Sequence, residues 1–440
     1  MRIAVLGGGG FRVPLLHRAL VAADLGIDEI ALHDVDPGRL AVVSAVLGDP
    51  LVRATSSLDD ALDGADLVFS AVRVGGVDGR VRDERAALEL GVLGQETVGA
   101  GGLAYAMRGA PVALEHARRI ALRAPSAWTI TMTNPAGVIT EVMSRELGDR
   151  VIGVCDSPAG LVSRAARALD LKPDADSAAA GHDVVVDYVG INHLGWLRGL
   201  LVDGVDALPR LLGDAALLAG VEEGRLFGAD LIGALGALPN EYLYWYYAAH
   251  EALDGVRAAG RTRGEHVRAE QARFYAAAVA DPSHAAELWQ RANDERNRSY
   301  FAELRAQPRD EQDVLAGGYE GVAVALAQAL HQPGRSARLA LNVRNGDTVS
   351  ALPPDAVVEV PCRVDEAGAT PLPLPLGPLT AHQAALIAQV RDCERDAVEA
   401  ALSGSATKAL RAFALHPLVP SLAAARHLSA EALATADAHG

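Results

Sequence analysis

Residues Met1 to Leu6 form an apolar run, followed at once by Gly7-Gly8-Gly9-Gly10 and then by a helical pattern opening at Val13-Pro14. Four glycines between a strand and a helix narrow the choice of fold sharply. They let the backbone turn tightly and approach a pyrophosphate, which the N–H groups of the helix start then bind. The third glycine of the usual dinucleotide fingerprint is missing, because Arg12 stands where Gly7-x-Gly9-x-x would place it. A second strand, Glu29 to Asp36, ends in His33-Asp34-Val35-Asp36, at the distance expected for the acid that holds an adenosine ribose. A carboxylate there favours NAD over NADP, since it would repel a 2′-phosphate. Asp34 also reads as a simple turn residue at a strand end. The expected cofactor residues are Gly7, Gly8, Gly9, Gly10, Phe11, Asp34 and Asn134.

Strands and helices then alternate: helices near Arg39 to Leu47 and Leu58 to Leu62, strands at Leu67 to Val72 and Trp128 to Met132, and a long helix at Leu103 to Leu122. Such alternation predicts a parallel sheet with right-handed crossovers. The segments Arg73 to Arg80 and Gly94 to Gly102 are rich in glycine and read as binding loops. Arg80 is placed to fork onto a substrate oxyanion, or is a solvated loop arginine. The strand at Trp128 ends in Thr133-Asn134-Pro135, with the proline stopping the strand and shaping a turn around Asn134. The expected fold class is α/β, an N-terminal Rossmann-type parallel sheet followed by an α+β domain like the C-terminal domain of lactate and malate dehydrogenases. The boundary is expected in or just before the small, acidic stretch Lys172 to Ala180, giving 1–170 as the NAD-binding domain and 171–440 as the catalytic, substrate and oligomerisation domain.

Two further strand ends carry chemistry. Val151 to Val154 delivers Cys155 and Asp156 to the edge where open α/β sheets bind ligands. Val184 to Val189 breaks at Gly190, just before Asn192-His193. One cysteine and one histidine are too few for a closed structural zinc site but suit an open metal position; they also read as a buried cysteine and a hydrogen-bonded histidine. Four of the nine tyrosines fall within Tyr242 to Tyr247, either as a pocket wall or as a buried aromatic helix. Arg261 to Glu265 opens a helix and offers cations. Leu339 to Val343, Asn345-Gly346 and Val357 to Val364 resemble a hairpin. The net charge of −16 argues against nucleic acid and anionic membranes as partners, no apolar run is long enough to span a bilayer, and the three separated cysteines fit a reducing, cytoplasmic setting.

With Gly7 to Gly10, Thr133-Asn134-Pro135, Gly153-Val154-Cys155-Asp156, Gly190-Ile191-Asn192-His193 and Pro239 to Tyr242 in this order, the chain resembles glycoside hydrolase family 4, nearest its 6-phospho-β-glucosidases. The likeness extends to Leu352-Pro353-Pro354-Asp355 and Val358-Glu359-Val360-Pro361. The family is a known exception to two-carboxylate glycoside hydrolysis. The resemblance implies NAD-assisted oxidation at C3 of the sugar, removal of the C2 proton, elimination of the leaving group, addition of water and return of the hydride. It implies Cys155 and His193 as ligands of a divalent metal, usually manganese, and Tyr242 as the base. Asp156 follows the metal cysteine where some members carry a proposed acid and several β-specific ones carry asparagine. Arg80, Asn134 and Asn192 match substrate-contacting positions, and Arg263 matches a phosphate partner. The implied partner is a phosphorylated sugar glycoside, and the implied assembly a homodimer or homotetramer. Phospho-specific relatives carry a Ser/Thr-Tyr-Thr-Pro-Glu-Leu type of segment after the glycines, where this chain has Phe11-Arg12-Val13-Pro14-Leu15-Leu16. The alternatives are a family 4 enzyme for an unphosphorylated or α-linked sugar, an NAD-dependent hydroxy-acid dehydrogenase of the lactate/malate type, and a non-catalytic NAD-binding sensor.

Overall fold

The computed structural model describes residues 1–171, 184–298 and 318–437. These gather into two compact units. One holds the described residues within Met1–Gly153, His250–Pro308 and Asp392–Gly440, the other those within Val154–Ala249 and Arg309–Arg391. A single cut at 170/171 was expected, whereas the chain passes between the units four times. Lys172 to Ala180 lies outside the described residues.

The first unit is built on six parallel strands, β1 (Arg2–Leu6), β2 (Glu29–His33), β3 (Val52–Thr55), β4 (Leu67–Ser70), β5 (Trp128–Thr131) and β6 (Val151–Gly153), in the order β6-β5-β4-β1-β2-β3. This is the doubly wound order expected of a dinucleotide fold. Its core places Ala4, Leu6 and Val68 against Ala106, Ala110 and Ile139, all fully buried or nearly so. Small residues dominate the helix Gly99–Arg123, which lets it pack closely on its neighbours. Later segments return to cover this unit because the helices flanking the sheet keep apolar faces on their far sides. Thus Cys393, Ala397, Phe413 and Leu428 pack with Leu103 and Met107, and Phe274 and Trp289 pack with Phe11, Val42 and Val46.

Two expectations change here. Gly76–Glu89 is a helix, so Arg80 is a helical residue and not a loop one. β3 was not foreseen: its sequence Val-Arg-Ala-Thr has only partial alternation and an exposed face.

The second unit carries antiparallel strands β7 (Val184–Ile191), β8 (Leu194–Val202), β9 (Val205–Asp206), β10 (Leu238–Pro239), β11 (Ala337–Arg344), β12 (Val357–Asp365) and β13 (Gly368–Pro371). Their order is β10-β8-β7-β12-β11, with β9 on β8 and β13 on β12. β11 and β12 pair from Ala337↔Val364 to Arg344↔Val357, but Asn345-Gly346 is not a tight two-residue turn. The buried Asn345 amide instead donates to the carbonyls of Val349 and Leu352 and organises a longer connection. The expected parallel sheet followed by an α+β region is what the two units display. No described helix is long and apolar enough to cross a membrane.

Candidate active site

In the first unit the glycine turn is fixed from both sides. Gly7 has φ +85°, a left-handed conformation that favours glycine. A Cβ at Gly8 would lie 2.7 Å from that of Leu32. The amides of Gly7 and Gly8 donate to the His33 carbonyl and that of Gly10 to Gly7, while Gly9 N–H donates to Asp34 Oδ2 at 2.9 Å. With those four amides engaged, a pyrophosphate would address the backbone that follows, from Phe11 onward, at the start of the helix Val13–Ala22. Asp34 Oδ1 takes the Asp36 amide at 3.0 Å. Each carboxylate oxygen keeps a second lone pair for a ribose hydroxyl. Tyr275 adds a contact that the sequence did not suggest: its hydroxyl donates to the Gly9 carbonyl at 2.7 Å, and Arg39 lies 4.5 Å over its ring.

Asn134 follows Thr133, whose Oγ1 accepts the Val72 amide at 2.9 Å. Among the described residues, the buried Asn134 Oδ1 has no hydrogen-bond partner. A buried acceptor left open is costly, and a hydroxyl or amide donor from a ligand is what it suits. The glycine cradle, Asp34 and this open acceptor together fit a dinucleotide.

The same unit gathers cations. Arg80 Nε donates to Glu84 Oε1 at 2.7 Å, and its guanidinium pairs with Glu96, which also binds Arg73. Glu84 Oε2 in turn accepts the Gly264 amide at 2.8 Å, at the start of the helix Arg263–Ala280, where Thr262 and Glu265 form a capping box. Arg263 therefore opens a helix, as expected. Burial would push Glu96 up, but Arg73 and Arg80 bring it down to about 2. Arg296 is driven down to about 9, by burial first and then by the charges of Arg12, Arg263 and Arg73. Arg12, Arg73, Arg263 and Arg296 thus share one electrostatic neighbourhood. Neither Arg73 nor Arg296 was foreseen, because arginines from separate elements leave no mark in local sequence.

In the second unit, Asn192 and His193 are the two turn residues between β7 and β8, flanked by the Ile191↔Leu194 pair. His193 has φ +62°, a left-handed conformation costing a non-glycine residue about 1–2 kcal/mol. Such strain collects at functional sites. The His193 ring lies flat on that of Tyr242, centroids 3.6 Å apart and 7° from parallel. Tyr242 sits in the 3-10 turn Glu241–Leu243, where Asn240 caps by accepting the Tyr242 amide at 3.0 Å. Tyr244–Tyr247 then forms a short helix in which Trp245 is buried.

Cys155 is buried just before the helix Ser157–Ala168. Burial, then Glu359 and Asp156, hold its thiol well above the usual range. A cation at the sulfur is the condition that favours thiolate there. Ser157 Oγ donates to Glu241 Oε1 at 2.6 Å, tying the helix start beside Cys155 to the residue before Tyr242. Among the described residues no three His, Cys, Asp or Glu side chains converge at metal-ligand spacing. The donor set is a thiol and an imidazole, which fits an open site finished by substrate and water and not a closed one.

A model of family 4 glycosyl hydrolases matches residues 2–171 and one of the family 4 glycosyl hydrolase C-terminal domain matches residues 188–419. The chain is 30% identical to the 6-phospho-β-glucosidase of Escherichia coli (strain K12), covering 96% of this chain and 92% of that protein. It is also similar to the structure of the 6-phospho-β-glucosidase from Thermotoga maritima with manganese, NAD+ and glucose-6-phosphate, at 25% identity and a TM-score of 0.80, over 100% of this chain and 99% of that one. A 6-phospho-α-glucosidase from gut microorganisms, in complex with NAD and glucose-6-phosphate, is 26% identical with a TM-score of 0.79, over 100% and 98% of the two chains. With both halves matched and the likeness running nearly end to end, the chain belongs to glycosyl hydrolase family 4.

Proposed function

We propose that the chain hydrolyses 6-phospho-β-glucosides with NAD and a divalent metal, manganese being the expected one. The observation that carries the reading is the His193 ring stacked on that of Tyr242, with Cys155 and His193 both buried. The glycine cradle and Asp34 support NAD, and Cys155 with His193 would hold the metal. When bound, NAD supplies an acceptor that takes and later returns a hydride at C3, and the cation a Lewis acid that makes the neighbouring C2–H acidic.

Tyr242 then removes the C2 proton through its phenol oxygen. Asp156 delivers a proton to the glycosidic oxygen as the C1 bond breaks, and water then adds at C1 while a proton returns to C2. Asn134, Asn192 and Arg80 orient the sugar hydroxyls, with Arg80 using N–H bonds beyond those it gives to Glu84 and Glu96. Arg263 takes the 6-phosphate, assisted by Arg12 and Arg296, whose clustering with Arg73 is relieved by a dianion. This supports phosphorylated substrates despite Phe11-Arg12-Val13. The proposal includes a cytoplasmic homodimer or homotetramer, to be measured by light scattering.

A second reading concerns the anomer, since β- and α-specific relatives lie at 30% and 26% identity. Family membership replaces the hydroxy-acid dehydrogenase alternative. The test is nitrophenol release from the β-glucoside 6-phosphate with NAD, manganese and a reductant, each omitted in turn, alongside the α-anomer and the unphosphorylated glucosides. Cleavage of the β-phosphate alone, needing both NAD and manganese, is the expected result. Cleavage of unphosphorylated substrate at equal efficiency would sink the phosphate assignment.

A further inference from the structure

Behind the stacked rings lies a chain of buried polar side chains that neither the sequence nor the family match assigns a role. Glu359, on β12, is fully buried. Its Oε2 accepts the Tyr188 hydroxyl at 2.9 Å, and its Oε1 accepts the amides of Asn342 at 2.9 Å and Asn192 at 3.3 Å. Asn240 reaches the Tyr188 hydroxyl at 3.5 Å through Nδ2 and accepts the Tyr242 amide through Oδ1 at 3.0 Å. The partners come from strands already in register: Glu359 faces Gly190 on β7 and Asn342 on β11. A Cβ at Gly195 would lie 2.7 Å from Tyr188 Cζ, so only glycine at that position lets the phenol lie where it does.

The geometry points to Tyr188 and Glu359 as positioning residues that set the His193 turn and the Tyr242 turn against each other. One arm runs from Glu359 through Asn192 to its neighbour His193. The other runs from Glu359 through Tyr188 and Asn240 to the backbone of Tyr242. Neither residue acts on the sugar. A network of this kind is worth more as a unit than as separate bonds, because each buried partner lost leaves another unsatisfied. The inference rests on the proposed roles of Tyr242 as base and His193 as metal ligand, so its test includes a readout that needs no substrate.

Ring stacking displaces the His193 proton resonances through the Tyr242 ring current. Histidine-labelled protein, with His193→Gln for assignment and Tyr242→Leu for the unstacked value, gives that displacement by NMR. Tyr188→Phe is expected to lose at least half of it, with far-UV circular dichroism unchanged. Turnover should fall by at least tenfold while KM for the phosphorylated substrate and the Kd for Mn2+ stay within about threefold. Asn240→Ala, which breaks the same arm one link further on, should reproduce the pattern if Tyr188→Phe folds poorly. Glu359→Gln, able to accept from Asn192 and Asn342 and to donate to Tyr188, should retain most of the displacement, whereas Glu359→Ala should not. A wild-type ring shift in both Tyr188→Phe and Asn240→Ala overturns the inference. An altered shift in a protein whose wild type cleaves no glucoside would instead leave the positioning intact and overturn the proposed reaction.

Discussion

The rings of His193 and Tyr242 stack face to face, centroids 3.6 Å apart, so the proposed base and the proposed metal ligand cannot move independently. Tyr242→Phe keeps the stacking face and removes only the phenol oxygen. Turnover should fall by roughly 10²–10⁴-fold, the usual contribution of a general base, and exchange of the substrate C2 proton with solvent should stop. Isotope exchange followed by NMR measures this; persistence at the wild-type rate means that another group is the base.

Cys155→Ser keeps the size of a buried side chain and removes the soft donor. The Kd for Mn2+ should rise by at least tenfold, comparable to the roughly 10–100-fold lost when even an outer-shell partner is removed. Thermal unfolding should shift by only a few degrees. A grossly unfolded variant would favour a purely structural cysteine.

Asp156→Asn discriminates by leaving group. An acid that protonates the glycosidic oxygen matters little for nitrophenolate and a great deal for an alcohol. The variant should cleave the nitrophenyl substrate within about threefold of wild type and lose roughly 10²-fold or more on a phosphorylated disaccharide. Equal losses on both assign Asp156 to the site's electrostatics.

Much of the first unit was legible because its strands are short apolar runs between turn signals: Leu67, Val68 and Phe69 are fully buried and read so. The hairpin turn at Asn192-His193 was nearly legible, as a polar pair at a strand end, although the left-handed His193 was not. Arg73 to Arg80 was read as a loop because of its glycine density, whereas from Gly76 on it opens the helix Gly76–Glu89, in which Val77, Val81 and Ala87 are buried. Glu359 escaped notice as a site residue since a lone glutamate in the run Val357 to Val364 has meaning only once Tyr188, Asn192 and Asn342 surround it. Long-range register, not local pattern, makes that cluster.

Arg263→Ala and Arg12→Ser test the anion assignment. A hydrogen bond to a charged group is worth about 1.5–3 kcal/mol, so KM for the 6-phosphate should rise roughly tenfold to a hundredfold with kcat little changed. Steady-state kinetics at two ionic strengths gives the result; an unchanged KM in both variants places the phosphate elsewhere.

Glu96 gives the first unit an acid limit. Despite burial, Arg73 and Arg80 lower it from 4.5 to about 2, so its ion pairs contribute fully above the unfolded value and are lost as pH falls toward about 2. At roughly 1.4 kcal/mol per unit the contribution is on the order of 3 kcal/mol. Denaturant unfolding of wild type and Glu96→Gln should therefore differ most above about pH 5, with the gap narrowing as pH falls and closing only toward about pH 2. A gap that does not vary with pH refutes the assignment.

Phe11 ends the glycine turn with a side chain gripped edge-on by Phe274, 5.4 Å between centroids, and with a carbonyl that accepts the Trp289 indole N–H at 2.8 Å. This segment is therefore also a foundation for two helices more than 250 residues further along the chain. A hydroxyl side chain at position 11 would forfeit the Phe274 contact but keep the Trp289 bond, which is made to backbone, so the turn stays anchored to one helix while it loosens from the other.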